Sequence, residues 1–174
     1  RRELKEETNI SVNYFEQLFT FGDDVFRDPR NRVISVAYFA LVDSSKLKIK
    51  ADSDAENAQW FKIDEVPSLA FDHTVILTKA IGRLKAKLTY EPIGFDLLPK
   101  EFLFSELENL YCTILEKEID RRNFRKKMLS FEIIEETDHF SPLKSGRPAK
   151  LFRFNIQKYK ALLKKGFHFE IKFA

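Results

Sequence analysis

Three carboxylates crowd the start of the chain: Glu3, Glu6 and Glu7 in RRELKEETNI. Their spacing is i, i+3, i+4, so a helix sets all three on one face. Like charges at that range repel, and a divalent cation held between them relieves the repulsion. A second concentration of charge has the opposite sign. In DRRNFRKKMLS, five of the seven residues 121–127 are basic: Arg121, Arg122, Arg125, Lys126 and Lys127. Such a helix can follow phosphates, and Asn123 within it can make a paired contact to an adenine edge. A third group mixes both signs in DDVFRDPRNR: Asp23, Asp24, Arg27, Asp28, Arg30 and Arg32. Arg27, Arg30 and Arg32 are candidates to grip an effector phosphate with a planar guanidinium fork, although a solvated loop accounts for most of this stretch. His73, His139 and His168 fall into no pattern with Cys112 or a serine, so no nucleophile–base pair is legible.

These groups need elements to hold them. NYFEQLFTFG (13–22) is rich in strand formers and ends in Gly22. RVISVAYFALVD (32–43) is nearly continuous in apolar residues, which predicts a strand buried on both faces. The charged Arg and Asp stretch forms the loop between them. AQWFKIDEVP (58–67) predicts a strand followed by a Pro-marked turn. Residues 72–88 predict a helix, with Asp72 as N-cap and Val75, Leu77, Ile81, Leu84 and Leu88 near helical spacing.

TYEPIGFDLLP (89–99) holds two Pro and one Gly and is the expected linker. Two helices follow. The first opens with Ser105-x-x-Glu108, a predicted capping box, and the second with Asp120 as cap. Phe124 and Met128 are the expected core residues of that second helix. FEIIEET (131–137) and LFRFN (151–155) predict two strands around a basic loop carrying Lys144, Arg147 and Lys150. A short helix (156–165) and an alternating tail strand with Phe167, Phe169, Ile171 and Phe173 on one face complete the order. Helix, basic helix and basic hairpin are the order of a winged helix-turn-helix. The second helix would then read the major groove, and the hairpin loop would reach a minor groove.

Composition narrows the field. The 174 residues suffice for two small domains, expected at 1–91 and 92–174. The first stretch is close to neutral and the second carries the basic excess behind the net charge of +3. A polyanionic partner therefore suits the second. One Cys excludes an internal disulfide and suits a reducing cytoplasm. No apolar run is long enough to span a bilayer, so no membrane partner is expected. The 18 Phe residues fall at core periodicity rather than interleaved with exposed cations, which argues against single-stranded RNA.

RELKEETNI resembles the second half of the Nudix box. Arg2, Glu3, Leu4, Glu6, Glu7 and Ile10 stand at its R, E, U, E, E and final U positions, where U is a bulky apolar residue, and Asn9 replaces its glycine. The first half of the box is expected to precede residue 1. The resemblance implies Mg²⁺ or Mn²⁺ on Glu3, Glu6 and Glu7, with Glu6 and Glu7 in the catalytic position. It also draws attention to Glu56, where some hydrolases supply a further carboxylate. FGDDVFRDPRNRVISVAYFALV, LLPKEFLFSELENLY and SGRPAKLFRFN resemble the Nudix-related transcriptional regulators. That family implies an α+β chain. It would combine the C-terminal part of a Nudix α/β/α sandwich, sensing ADP-ribose or a sugar-type effector, with a winged helix that binds double-stranded DNA as a homodimer. The alternative is a Nudix hydrolase of ADP-ribose-like compounds, and retained hydrolysis is left open.

Overall fold

The computed structural model describes residues 14–43, 59–141, 148–171 and 173. The chain divides into two compact units, Arg1–Arg83 and Leu84–Ala174, with the dividing point inside a helix. The carboxylate run 1–7, Asn9 and Glu56 lie outside the described residues.

In the first unit β1 (Tyr14–Phe21) pairs antiparallel with β2 (Ser35–Leu41). Both are dense in aromatic and β-branched residues, which fit a pleated surface. Phe15 stacks on Tyr38 with ring centroids 4.8 Å apart, and Tyr14 meets Phe39 at 5.9 Å. Such cross-strand pairs hold the register, which shifts at a bulge between Gln17 and Phe19. Burial of β2 on both faces does not hold: Val36 and Tyr38 are each 50% exposed. An apolar run reports content, not cover, and β1 is the only strand beside β2 among the described residues.

The strand expected around Trp60 is also absent from residues 59–67. A single 3-10 turn, Ile63–Glu65, stands there, closed by the Glu65 N–H donating to the Lys62 carbonyl at 3.0 Å. A strand needs a neighbour to take its hydrogen bonds, and no described strand does so. Helix α1 (His73–Tyr90) follows as expected.

The second unit opens on the segment expected as a linker, and here the expectation is corrected. Pro92, Ile93 and Gly94 are buried, and the Tyr111 hydroxyl donates to the Ile93 carbonyl at 3.1 Å. Gly94, at φ +93°, turns the chain into a 3-10 turn (Phe95–Leu97). Two prolines mark a change of direction within packed chain, not a free linker. A short strand, β3 (Glu101–Leu103), leads directly into α2 (Phe104–Leu115). The cap of α2 lies two residues earlier than expected. Leu103 is the N-cap residue, and the Glu106 carboxylate accepts from the Leu103 N–H at 2.7 Å. Glu106, not Glu108, reaches back to the helix start, and Ser105 lies inside the first turn.

Helix α3 (Arg121–Ser130) is capped by Asp120 as expected, with the Asn123 N–H donating to the Asp120 carboxylate at 3.1 Å. β4 (Ile134–Ser141) and β5 (Ala149–Phe154) form a hairpin, and β3 adds to it in the order β3-β5-β4, antiparallel throughout. β4 runs four residues past its expected end. A bulge between Glu136 and Phe140 absorbs Thr137, Asp138 and His139, and the Thr137 hydroxyl donates to the Leu151 carbonyl there at 3.1 Å. α4 (Ile156–Lys165) starts at Asn155, whose side chain takes the Lys158 N–H, and ends at Gly166 in the left-handed region, φ +71°.

Leu107, Tyr111, Phe124, Met128, Ile133, Phe152 and Phe169 build the core of this unit. Phe104 meets Phe124 and Phe152 edge-on, and Tyr111 meets Phe124 at 4.9 Å. The tail after α4 is not the expected strand. Among its described residues it makes an isolated bridge, Ile119 to Phe173, and a main-chain bond from Ile171 N–H to the Thr89 carbonyl, besides the Phe167 N–H that closes on the end of α4. Its alternating side chains are nevertheless used, with Phe169 and Ile171 buried and Phe167 half-buried.

Candidate nucleic-acid interface

Helix α3 presents three different flanks. Phe124 and Met128, one turn apart, are 4% and 0% exposed and anchor it in the core. Arg121, Arg122, Arg125 and Lys126 are exposed. At i, i+1, i+4 and i+5 they form one cationic face. The third flank carries Asn123, Lys127 and Ser130 and lies against the tail. There the Lys127 ammonium donates to the Glu170 carbonyl at 2.5 Å.

The cationic face is organised from below. The Arg125 guanidinium rests over the rings of Phe104 and Phe152, 5.0 and 5.2 Å from their centroids. That seat fixes the stem of a long side chain and leaves its edge donors open. Glu108 lies beside it. Burial raises the Glu108 carboxyl, while the charges of Arg121 and Arg125 draw it back down. Asn123 is turned onto its own cap, its amide donating to the Asp120 carboxylate. Its side-chain carbonyl and second amide hydrogen are what remain for a base edge. Lys150 on β5 donates to Glu136 on β4 at 2.9 Å, a bond that raises the lysine and lowers the carboxyl. Lys144 and Arg147 lie outside the described residues.

In the first unit the three candidate arginines separate. Arg27 is buried, 8% exposed. It donates to both Asp72 carboxylate oxygens, at 2.8 and 2.9 Å, and to the Ser35 hydroxyl at 2.7 Å. The loop, β2 and the start of α1 are thereby joined at one guanidinium. That bond holds the Asp72 carboxyl low and the guanidinium high. Arg30 pairs with Asp28 at 2.8 Å with its guanidinium 4.6 Å from the Phe71 ring, and its side chain is 69% exposed. Arg32 is exposed. Asp72 does sit at the helix start, where its carbonyl accepts from Val75 and Ile76, but its carboxylate serves Arg27. Among the described residues no group of three or more His, Cys, Asp and Glu is placed to hold a metal ion. No helix among them is long and apolar enough to cross a membrane.

Comparison with known proteins resolves what this arrangement belongs to. The NUDIX domain family matches residues 1–80, and the NrtR DNA-binding winged helix domain family matches residues 94–154. An ADPR-responsive transcriptional repressor, NtrR, of Acinetobacter baylyi is 35% identical over 160 residues, which cover 91% of this chain and 63% of that protein. The chain belongs to the Nudix-related transcriptional regulator family. An ADP-ribose pyrophosphatase of Methanocaldococcus jannaschii is 37% identical over 76 residues, 44% of this chain and 43% of that protein. The chain thus spans less than two thirds of the length of either curated relative. Crystal structures of Shewanella oneidensis NrtR superpose with TM-scores of 0.72 for the complex with a 27mer DNA and 0.71 for a second structure of NrtR. Both are 26% identical, and the match covers 98% of this chain and 75% of theirs.

For this family member, sequence reasoning reached the cationic face and the buried pair beneath it. It missed β3, whose three residues are too few for a periodic signal. It also missed the docking of the tail on α3, since nothing local in either segment reports the other. Arg27 was legible as a charge in a loop but not as a buried strut, because its partner lies 45 residues away.

Proposed function

We propose that the chain is the larger part of a bacterial transcriptional repressor, in which α3 reads operator DNA and the Nudix unit senses ADP-ribose or a related compound. The single observation that carries this is the exposed face of Arg121, Arg122, Arg125 and Lys126 on a helix anchored by Phe124 and Met128, within a helix–helix–hairpin. The DNA complex of the Shewanella oneidensis relative supports the same partner, and the ADPR-responsive Acinetobacter baylyi repressor supports the effector. In this reading Arg121, Arg122, Asn123 and Arg125 approach bases and phosphates of the major groove. Lys126, Lys144 and Lys150 meet phosphates, and Arg147 enters a minor groove. The functional division remains 1–91 for the effector and 92–174 for DNA, with the last turns of α1 built into the second unit. The protein acts as a homodimer in the cytoplasm, because one such module reads only a few base pairs.

On the effector side, Arg30 and Arg32 are the remaining phosphate candidates, and Arg27 is assigned a structural role. Glu3, Glu6 and Glu7 would hold Mg²⁺ or Mn²⁺, and that ion would supply phosphate neutralisation and water activation. A second reading, hydrolysis of ADP-ribose, is favoured by the pyrophosphatase match. The test is fluorescence anisotropy of the full-length protein on duplex DNA from upstream of its own gene, with and without ADP-ribose. Salt-sensitive binding that ADP-ribose alters supports the repressor. Absence of duplex binding, with release of AMP from ADP-ribose, favours the hydrolase.

A further inference from the structure

The tail after α4 lies beyond the matched winged-helix domain, which ends at residue 154, yet it supplies part of the core beneath α3. Phe169 is 1% and Ile171 6% exposed. Phe131, at the end of α3, meets Phe167 at 5.2 Å and Phe169 at 6.3 Å. The main chain is tied at two further points. Ile171 N–H donates to the Thr89 carbonyl at 3.2 Å, and Phe173 bridges to Ile119 in the turn just before α3. Between these ties the Glu170 carbonyl takes the Lys127 ammonium, which lies 5.8 Å from the centroid of the Phe169 ring. A groove lined by Asn123, Lys126, Ser130 and Ile171 marks the seam.

We infer that residues 167–171, with Phe173, form a strap that fixes the pose of α3, and that Lys127 is a positioning residue rather than a DNA contact. The inference deepens the DNA-binding reading and rests on it for its consequence, though not for the strap itself. The argument is geometric. Five cations lie on α3, but one of them spends its ammonium on a carbonyl of the tail. A cation bonded there neutralises no phosphate, so it adds nothing to counterion release. Its role is to hold one edge of the helix against the tail, as Phe124 and Met128 hold the underside. A reader displaced by a fraction of a turn presents different side chains to the bases, so the strap bears on sequence preference.

Two measurements on the full-length protein test this. In the first, hydrogen exchange without DNA compares wild type, Lys127→Gln and a chain ending at His168. The strap is expected to protect α3, so both variants exchange faster over residues 121–131 while β1 and β2 are unchanged. Equal exchange in α3 for all three proteins overturns the strap, whatever happens with DNA. In the second, affinity for the upstream duplex and a random duplex is followed across a salt series for Lys127→Gln and Lys126→Gln. Lys127→Gln is expected to lose several-fold in preference for the upstream duplex at an unchanged salt slope, while Lys126→Gln flattens the slope by about one. A flattened slope for Lys127→Gln, or unchanged preference, overturns the positioning role. If wild type binds neither duplex, the DNA reading and the positioning role fail together, and the exchange result still decides the strap.

Discussion

Arg27 and Arg30 are three residues apart and differ in everything but charge. Arg27 has its donors taken by Asp72 and Ser35, so Arg27→Ala is expected to lower the thermal unfolding midpoint by several degrees. Arg30→Ala and Arg32→Ala are expected to leave that midpoint nearly unchanged while weakening ADP-ribose, read by calorimetry on the full-length protein. The same loop sets a pH dependence. Hydrogen bonds from the Arg30 side chain and main chain lower the Asp28 carboxyl to about 2. A carboxyl depressed on folding stabilises the fold while ionised. Its contribution is complete above the ordinary carboxylate range near pH ~4 and is lost as pH falls through about 2. Asp72, lowered by Arg27, acts in the same direction. Thermal midpoints are therefore expected to fall between about pH 4 and 2, and any gap between wild type and Arg30→Ala to close there. Sequence alone could count these charges. It could not sort them, because burial of Arg27 depends on a helix start that only the fold brings near.

Among the elements, α3 sets its buried anchors and its exposed cations on separate faces. Phe124→Ala removes a nearly fully buried ring and is expected to cost about 3–5 kcal/mol. Asp120→Ala removes the cap and is expected to cost about 1 kcal/mol, measured by urea unfolding. The second substitution also releases the Asn123 amide, so DNA affinity need not fall in step with stability. Elements of this length were legible because periodicity and a cap agree over ten residues. The tail and the segment around Trp60 were not. Alternation in GFHFEIKFA announced the burial of Phe169 and Ile171 but not the exposure of Phe173, and strand or strap is decided by which backbone lies alongside. For residues 59–62 no described neighbour pairs with the chain, and an apolar run became exposed Trp60, Phe61 and Ile63.

At the scale of the whole molecule, the first unit is close to neutral and the second holds the basic excess. The resemblance in SGRPAKLFRFN and RELKEETNI reached the family, while composition reached only the basic bias of the second half. Dimerisation follows from the reading: full-length protein at micromolar concentration is expected to sediment as a dimer, with or without duplex. Only monomer in both conditions would leave a single module to find its site unaided. The most direct measurement of the central claim is anisotropy on the upstream duplex and a random duplex at two salt concentrations, for wild type and for Asn123→Ala, Arg125→Ala and Lys126→Ala. Wild type is expected to bind both duplexes with steep salt dependence and to prefer the upstream one. Lys126→Ala should weaken both alike and flatten the slope by about one. Asn123→Ala or Arg125→Ala should cost about 1–3 kcal/mol on the upstream duplex and relax its preference. Binding by all three variants that matches wild type on both duplexes would contradict the assignment of α3 as the reader.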